Sequence, residues 1–209
     1  RNPSSDSNRK TYTYSCWYKR ALLSYSIGNV FEQKQNGTNY QVLFFRDDDK
    51  LEFHGYTSSG GNQYTSHFVT TRKFRDISSW YHIIIAVDTT QATASNRVKI
   101  YVNGSQVTDF DTETYPSQNF DTFVNTTQQL RLGNGQAGSQ AFDGYMSEIW
   151  HYDGRQLEPT HFGYTESQSG IWRPKKIENP YSTPNNGTTW SNHLTVNTGS
   201  ISNAANAFN

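Results

Sequence analysis

Polar and apolar residues alternate with a period of two along much of this chain. In residues 11–18, Thr11, Thr13, Ser15 and Trp17 form one set and Tyr12, Tyr14, Cys16 and Tyr18 the other. That is the signature of a strand whose side chains point alternately to its two faces. Residues 40–45 read as a second strand; Asp47, Asp48 and Asp49 turn the chain, and residues 50–55 return as its hairpin partner. Gly60, Gly61 and Asn62 mark another turn, ahead of a strand through His67, Phe68 and Val69. In residues 80–87 the run Ile83, Ile84, Ile85, Ala86 and Val87 is apolar on both faces, which predicts a central strand covered by a second layer. Val98, Ile100 and Val102 alternate with Lys99 and Tyr101 in the next strand. Asn103-Gly104 at its end favours a tight hairpin, because both residues tolerate positive φ, and residues 106–110 are the expected return strand. Beyond a polar loop around Pro116, residues 129–133 and 142–152 are strand-like. The helical signal is one short turn at residues 158–162, with Pro159 placed for a first helical position.

Short strands, hairpin turns and almost no helix predict an all-β fold, an antiparallel jelly-roll β-sandwich. Composition agrees. Hydrophobic residues are only 33% of the chain but aromatic residues are 15%, with 14 Tyr and 12 Phe, which suits pleated surfaces with solvated outer faces. With 209 residues there is room for one such sandwich and a tail. We place the sandwich at residues 1–164. Residues 165–209, rich in Asn, Ser, Thr, Gly and Pro, are expected to form an extended C-terminal arm or linker leading towards a further module, wrapping the sandwich through Trp172 and Trp190.

Eighteen basic and 18 acidic residues cancel, and no concentrated basic surface of the kind needed to neutralise phosphates is visible, so a nucleic-acid partner is not expected. The run Arg173, Lys175 and Lys176, interrupted by Pro174, reads as a solvated loop. Cys16 is the single cysteine, which excludes an intrachain disulfide and fits assembly in a reducing cytoplasm; its alternating strand beside Trp17 predicts a buried, inert thiol. No apolar stretch reaches the roughly 18 residues of a membrane span, so no membrane partner is expected. The first residue is Arg1 rather than Met, which suggests a fragment or processed product.

Three segments, residues 80–88, 99–104 and 142–149, resemble in order and spacing the laminin-G-like, concanavalin-type jelly-roll superfamily: a buried strand, a hairpin with its turn, and the last strand returning to the sandwich. A narrower resemblance is carried by Trp17-Tyr18-Lys19-Arg20, Asp88-Thr89-Thr90-Gln91-Ala92-Thr93, Asp153-Gly154-Arg155-Gln156-Leu157 and Gly170-Ile171-Trp172-Arg173-Pro174-Lys175-Lys176. These are similar to laminin-G-like proteins of tailed-bacteriophage particles. The resemblance implies a non-catalytic virion structural module, a tail-fibre or capsid-decoration component. It would be assembled in the bacterial host cytoplasm, with other virion proteins as partners and a homotrimer as the oligomer such modules often form. Binding of host surface polysaccharide during adsorption is the secondary expectation. The alternatives are a glycan-cleaving enzyme of the laminarinase type and a generic secreted carbohydrate-binding module.

Laminarinase-type enzymes of this fold carry two carboxylates about 5 Å apart on one strand face, in a motif resembling Glu-x-Asp-x-x-Glu. The nearest match starts at Glu148 but has Trp150 and Asp153 at the next required positions, so no catalytic residue is assigned and Glu148 is expected to be held by backbone donors. No Gly-x-Ser-x-Gly elbow is present, and His54, His67, His82 and His151 fall in strand patterns, as structural histidines do. Asp47 and Asp49 are the calcium candidates, since a hard cation takes oxygen ligands; apart from calcium no cofactor is expected. For a glycan, which needs an aromatic face beside planar hydrogen-bonding groups, the candidates are Tyr56, Tyr64 and Tyr115.

Overall fold

The computed structural model describes residues 3–24, 28–135 and 140–177. Along the chain run β1 (Thr11–Arg20), β2 (Gly28–Lys34), β3 (Tyr40–Phe45), β4 (Lys50–Thr57) and β5 (Gln63–Lys73). Then come β6 (Tyr81–Asp88), β7 (Val98–Val102), β8 (Ser105–Gln106) and β9 (Phe110–Thr114). β10 (Leu130–Leu132), β11 (Gly144–Asp153), β12 (Gly163–Thr165) and β13 (Trp172–Pro174) follow. They form a five-stranded sheet in the order β11-β1-β6-β7-β8, a six-stranded sheet in the order β10-β2-β3-β4-β5-β9, and a small β12-β13 hairpin. All strand pairs are antiparallel, which makes the molecule the jelly-roll sandwich that the alternation predicts.

Every second residue of the central strands enters the space between the two large sheets. Tyr12, Tyr14, Cys16 and Tyr18 of β1 and Ile83, Ile85 and Val87 of β6 meet Phe31, Leu43, Phe45, Leu51, Phe53 and Phe68 of the facing sheet. Aromatic rings bridge the gap, with Tyr14 and Phe31 centroids 4.6 Å apart and Tyr18 and Phe45 6.0 Å apart in an edge-to-face arrangement. A buried tyrosine keeps its hydroxyl and must pair it; Tyr14 and Tyr18, four residues apart on one strand face, pair with each other at 2.6 Å. Cys16 lies between them with no exposure, and burial pushes its thiol up to about 12, so it is inert as expected.

The two-sided apolar character of β6 is realised. Ile84 and Ala86 face away from the main core into a second cluster with Tyr101, Tyr152, Leu157 and Phe162, roofed by residues 154–162, including a 3-10 turn at Pro159–His161. The β12-β13 hairpin covers the same face through Trp172. Its indole N–H donates to His82 Nδ1 at 2.9 Å, and the His82 ring is stacked between Trp17 (4.8 Å) and Trp172 (6.0 Å). Gly104 serves twice here: its φ of 82° closes the β7-β8 turn, and a Cβ on it would lie 2.5 Å from the Trp172 ring.

One strand expectation needs correction. The return strand at 106–110 does not exist as one element: β8 stops at Gln106 and the chain crosses to the other sheet as β9, where Phe110 packs edge-on against Phe68 at 5.6 Å. β12 runs across the boundary between residues 164 and 165, and Trp172, one of the two tryptophans expected to hold the arm against the sandwich, docks on His82. Trp190 and the rest of the arm lie outside the described residues. β2 was not anticipated, because Gly28–Lys34 mixes core residues such as Phe31 with buried Asn29, Glu32 and Gln33.

Polar staples close both ends. Arg20, at the end of β1, meets Asp49 of the β3-β4 turn at 3.1 Å and donates to the Phe74 carbonyl at 2.7 Å, tying one large sheet to the other. At the other end Asn125 bonds the Asn8 carbonyl (2.6 Å), Asp153 (3.0 Å), His151 (2.8 Å) and Gln33 (2.9 Å).

Burial pushes the His82 and His151 imidazoles down to about 4, so both are neutral in the fold and protonate readily only on unfolding. Their folded values lie below the unfolded value of about 6.5, so the stability is complete above that pH and declines as pH falls towards 4. Urea unfolding at pH 5 is expected to give a free energy lower than at pH 7.5 by about 2 kcal/mol from His82, with His151 adding in the same sense. His82→Gln should flatten the pH dependence by that amount; an unchanged slope in the variant would refute the assignment.

Candidate functional site

The alternation that sends Leu51 and Phe53 of β4 into the core sends Glu52, His54 and Tyr56 to the outer face of the six-stranded sheet. The antiparallel register then sets their neighbours. On β3, Phe44 lies opposite Glu52, Val42 opposite His54 and Tyr40 opposite Tyr56. On β5, His67 lies opposite His54, and a register shift after Gly55 brings Tyr64 opposite Tyr56. Three tyrosines and two histidines from three adjacent strands therefore share one patch. Tyr40 stacks on Tyr56 at 5.4 Å, Tyr64 meets Tyr56 edge-on at 5.5 Å, and Tyr64 lies flat on His67 at 4.0 Å. His54 stands edge-to-face with Tyr40, Phe44 and Tyr64.

Glu52 forms the polar floor. Its Oε1 accepts from His54 Nδ1 at 2.7 Å and His67 Nε2 at 2.9 Å, and its Oε2 accepts from Arg46 Nη1 at 2.6 Å. An ionised carboxylate only accepts, so each imidazole carries its proton on the nitrogen facing Glu52. Burial works to raise the Glu52 carboxyl, but the hydrogen bonds it accepts from His54 and Arg46 hold it below the usual range. Burial lowers the His67 imidazole, with Glu52 only partly offsetting it. With Nδ1 donating, the Nε2 of a neutral His54 is an acceptor; it is buried and has no partner among the described residues. The result is a polar floor beneath an aromatic rim: Glu52 is 4% and His54 6% exposed, while Tyr64 is 47% exposed. The charged margin continues on β2, where Lys34 sits 5.3 Å over the Tyr40 ring and 4.0 Å from Glu32.

Of the residues singled out from sequence, Tyr56 and Tyr64 come together here. Tyr115 does not join them. Thr114 pairs with His67, so the next side chain turns inward; Tyr115 packs edge-on against the core residue Phe68 at 5.1 Å, with its hydroxyl on Glu113. Asp49 is buried, and its oxygens already hold Arg20, Arg75 and the Ser24 amide, so a calcium ion there would have to displace two guanidinium groups; Asp47 lies exposed in the turn. Glu148 is exposed at a bulge of β11 with φ 50°, and it accepts from the Trp150 indole at 3.2 Å rather than from the backbone donors expected of it. A Ser–His pair does occur, Ser15 Oγ and His82 Nε2 at 2.8 Å. The Trp172 indole can only donate, so His82 Nδ1 must accept and Nε2 carries the proton; His82 therefore donates to Ser15 and is not placed to deprotonate it. Tyr40, Glu52, His54, His67 and Arg46 were missed as a group. The available signal was the Glu52-x-His54-x-Tyr56 alternation in β4, which puts all three on one face.

Residues 2–161 match the family described as the concanavalin A-like lectin/glucanases superfamily. No curated protein matches the sequence. Among solved structures the chain is similar to domain 4 of AbnA, an extracellular arabinanase from Geobacillus stearothermophilus, at TM-score 0.50 and 20% identity, over 71% of this chain and 63% of that one. It is also similar to a heptameric SAP-like pentraxin from Limulus polyphemus (TM-score 0.50, 14% identity, 75% and 69% covered) and to domains LG4-5 of the mouse laminin α1 chain (0.50, 14%, 75% and 39%). It spans less than two thirds of the arabinanase and laminin chains, and at these identities the similarity concerns the fold alone.

Because one carboxylate satisfies three donors, Glu52→Gln puts an amide N–H against groups that themselves donate. We expect a loss of about 2 kcal/mol in guanidinium-induced unfolding. A stability within a few tenths of wild type would mean that the three contacts are not formed together.

Proposed function

We propose that this chain, which belongs to the concanavalin A-like lectin/glucanase superfamily, is a non-catalytic glycan-binding module whose ligand lies across the tyrosine face of β3, β4 and β5. The observation that carries this reading is the patch itself: Tyr40, Tyr56 and Tyr64 crowd around a buried imidazole nitrogen that lacks a donor. A sugar offers apolar C–H faces to stack on tyrosine rings and hydroxyls to bond at their edges. Movement of the exposed Tyr64 would open His54 Nε2 to one such hydroxyl. Domain 4 of AbnA was solved in complex with arabinotriose, so an oligosaccharide ligand has a precedent in a similar fold.

The same chemistry argues against hydrolysis. A general acid needs a raised pKa, whereas Glu52 is held ionised by His54, His67 and Arg46. The laminarinase motif counted from Glu148 lacks its central aspartate, where Trp150 stands, and has Asp153 in place of its last glutamate. The setting we propose is a bacteriophage particle, as a tail-fibre or capsid-decoration component that adsorbs to host surface polysaccharide; the segments at residues 17–20, 88–93, 153–157 and 170–176 support it by their resemblance to such proteins.

On an array of bacterial surface polysaccharides the chain should bind without releasing reducing sugar. Tyr56→Ala and Tyr64→Ala should each weaken binding about tenfold, equivalent to about 1.4 kcal/mol, while Tyr115→Ala should leave it unchanged. Binding indifferent to both tyrosines, or an array with no binding, would remove the glycan reading. Presence of the chain in purified phage particles tests the virion setting separately.

A further inference from the structure

The geometry points to a binding site for a first-row divalent transition metal, of the zinc, cobalt or nickel class, formed by Glu52, His54 and His67. The donors come from rigid strands rather than loops. Glu52 and His54 are two apart on β4 and so share a face, and His67 is the cross-strand partner of His54. One ligand atom from each of the three lies within 4.8 Å of the other two. Both imidazole nitrogens converge on the same carboxylate oxygen, at 2.7 and 2.9 Å. Around a tetrahedral ion with metal–ligand bonds of about 2.0–2.1 Å, neighbouring donor atoms stand about 3.3 Å apart. Each nitrogen–oxygen pair therefore opens by about half an ångström to admit an ion, and the two nitrogens, within 4.8 Å of each other, settle at the same separation of about 3.3 Å.

The exchange is balanced in protons. Each neutral imidazole keeps one, which moves from the nitrogen facing Glu52 to its other ring nitrogen, and that leaves two nitrogen lone pairs and a carboxylate for the ion. Arg46, bonded to the other Glu52 oxygen at 2.6 Å, fixes the carboxylate plane as outer-shell partners of metal ligands do. Its charge also decides the metal. Glu52 and Arg46 cancel, so the set offers a hard cation no net attraction, whereas imidazole nitrogens bond zinc, cobalt and nickel directly. His67 is the most exposed of the three, its side chain 18% accessible beside the stacked Tyr64 ring, so a fourth ligand would come from that side. The donor set carries this inference whether or not a sugar binds.

Zinc titrated calorimetrically into the untagged 209-residue chain should bind one ion per chain, with calcium and magnesium giving no heat. His54→Ala and His67→Ala should each weaken zinc at least tenfold, and His161→Ala, on the opposite sheet's cover, should not. Cobalt added to the wild-type chain should develop the intense visible bands of tetrahedral coordination, a readout that needs no variant to fold. No zinc binding by the wild-type chain, undiminished binding in both histidine variants, or a cobalt spectrum that stays that of the hydrated ion would each overturn the assignment. Loss of glycan binding on the array would leave these outcomes unchanged.

Discussion

Strand alternation in the middle of the six-stranded sheet is the constraint on which the rest of the molecule depends. β4 has strands on both sides, so its register is held by two ladders. A slip of one residue would bring Glu52 and His54 into the core and put Leu51 and Phe53 outside. The cost of that inversion fixes the orientation of the whole outer face. Nothing in the cluster has to be ordered by a loop: the core aromatics that hold the sandwich together also aim Glu52, His54 and Tyr56 outward.

The core that enforces this register is unusual in using tyrosine where leucine or valine would be simpler. Tyr12, Tyr14 and Tyr18 are almost fully buried on one face of β1. They add aromatic area across the sheet gap, but each brings a hydroxyl that must be accommodated. Pairing Tyr14 with Tyr18 settles two of the hydroxyls within one strand. The polar staples obey the same rule. Arg20 and Asp49 are both almost fully buried, and each is held by further partners, because a lone buried charge would cost several kcal/mol. Buried pairs of this kind specify which turn meets which strand, and here they lock the β3-β4 turn to the end of β1.

How much of this was legible in the sequence follows from which signals are local. Period-two patterning is local, so β1, β3, β4, β6 and β7 could be read from residue order, and the doubly apolar Ile83–Val87 run correctly implied a second covering layer. Tyr56 and Tyr64 were singled out because they flank an evident turn, and the register places them side by side. Tyr40, Glu52, His54 and His67 were passed over individually, since a histidine in a strand is ordinarily structural, and their meeting depends on the register across three strands and on the shift after Gly55. Tyr115 lies apart from them, against Phe68, because loop-like composition does not tell on which side of an edge strand a side chain falls. The partner of Trp172 was not legible, since His82 lies 90 residues away and no local pattern links the two.

The surroundings of the cluster argue that it is retained for more than folding. Val42, Phe44 and Val69 share the outer face with Glu52 and His54 and are themselves mostly buried, so an apolar patch at this place is compatible with the sheet. Replacing a buried charged group and its partners by apolar residues of similar volume is often neutral or stabilising. A strand that needed only to pack would have no use for a carboxylate under three donors, or for an imidazole nitrogen left without a partner. The polar floor instead has the character of a site held ready at some expense of stability, and the aromatic rim above it supplies the apolar contact area that a ligand must share with it.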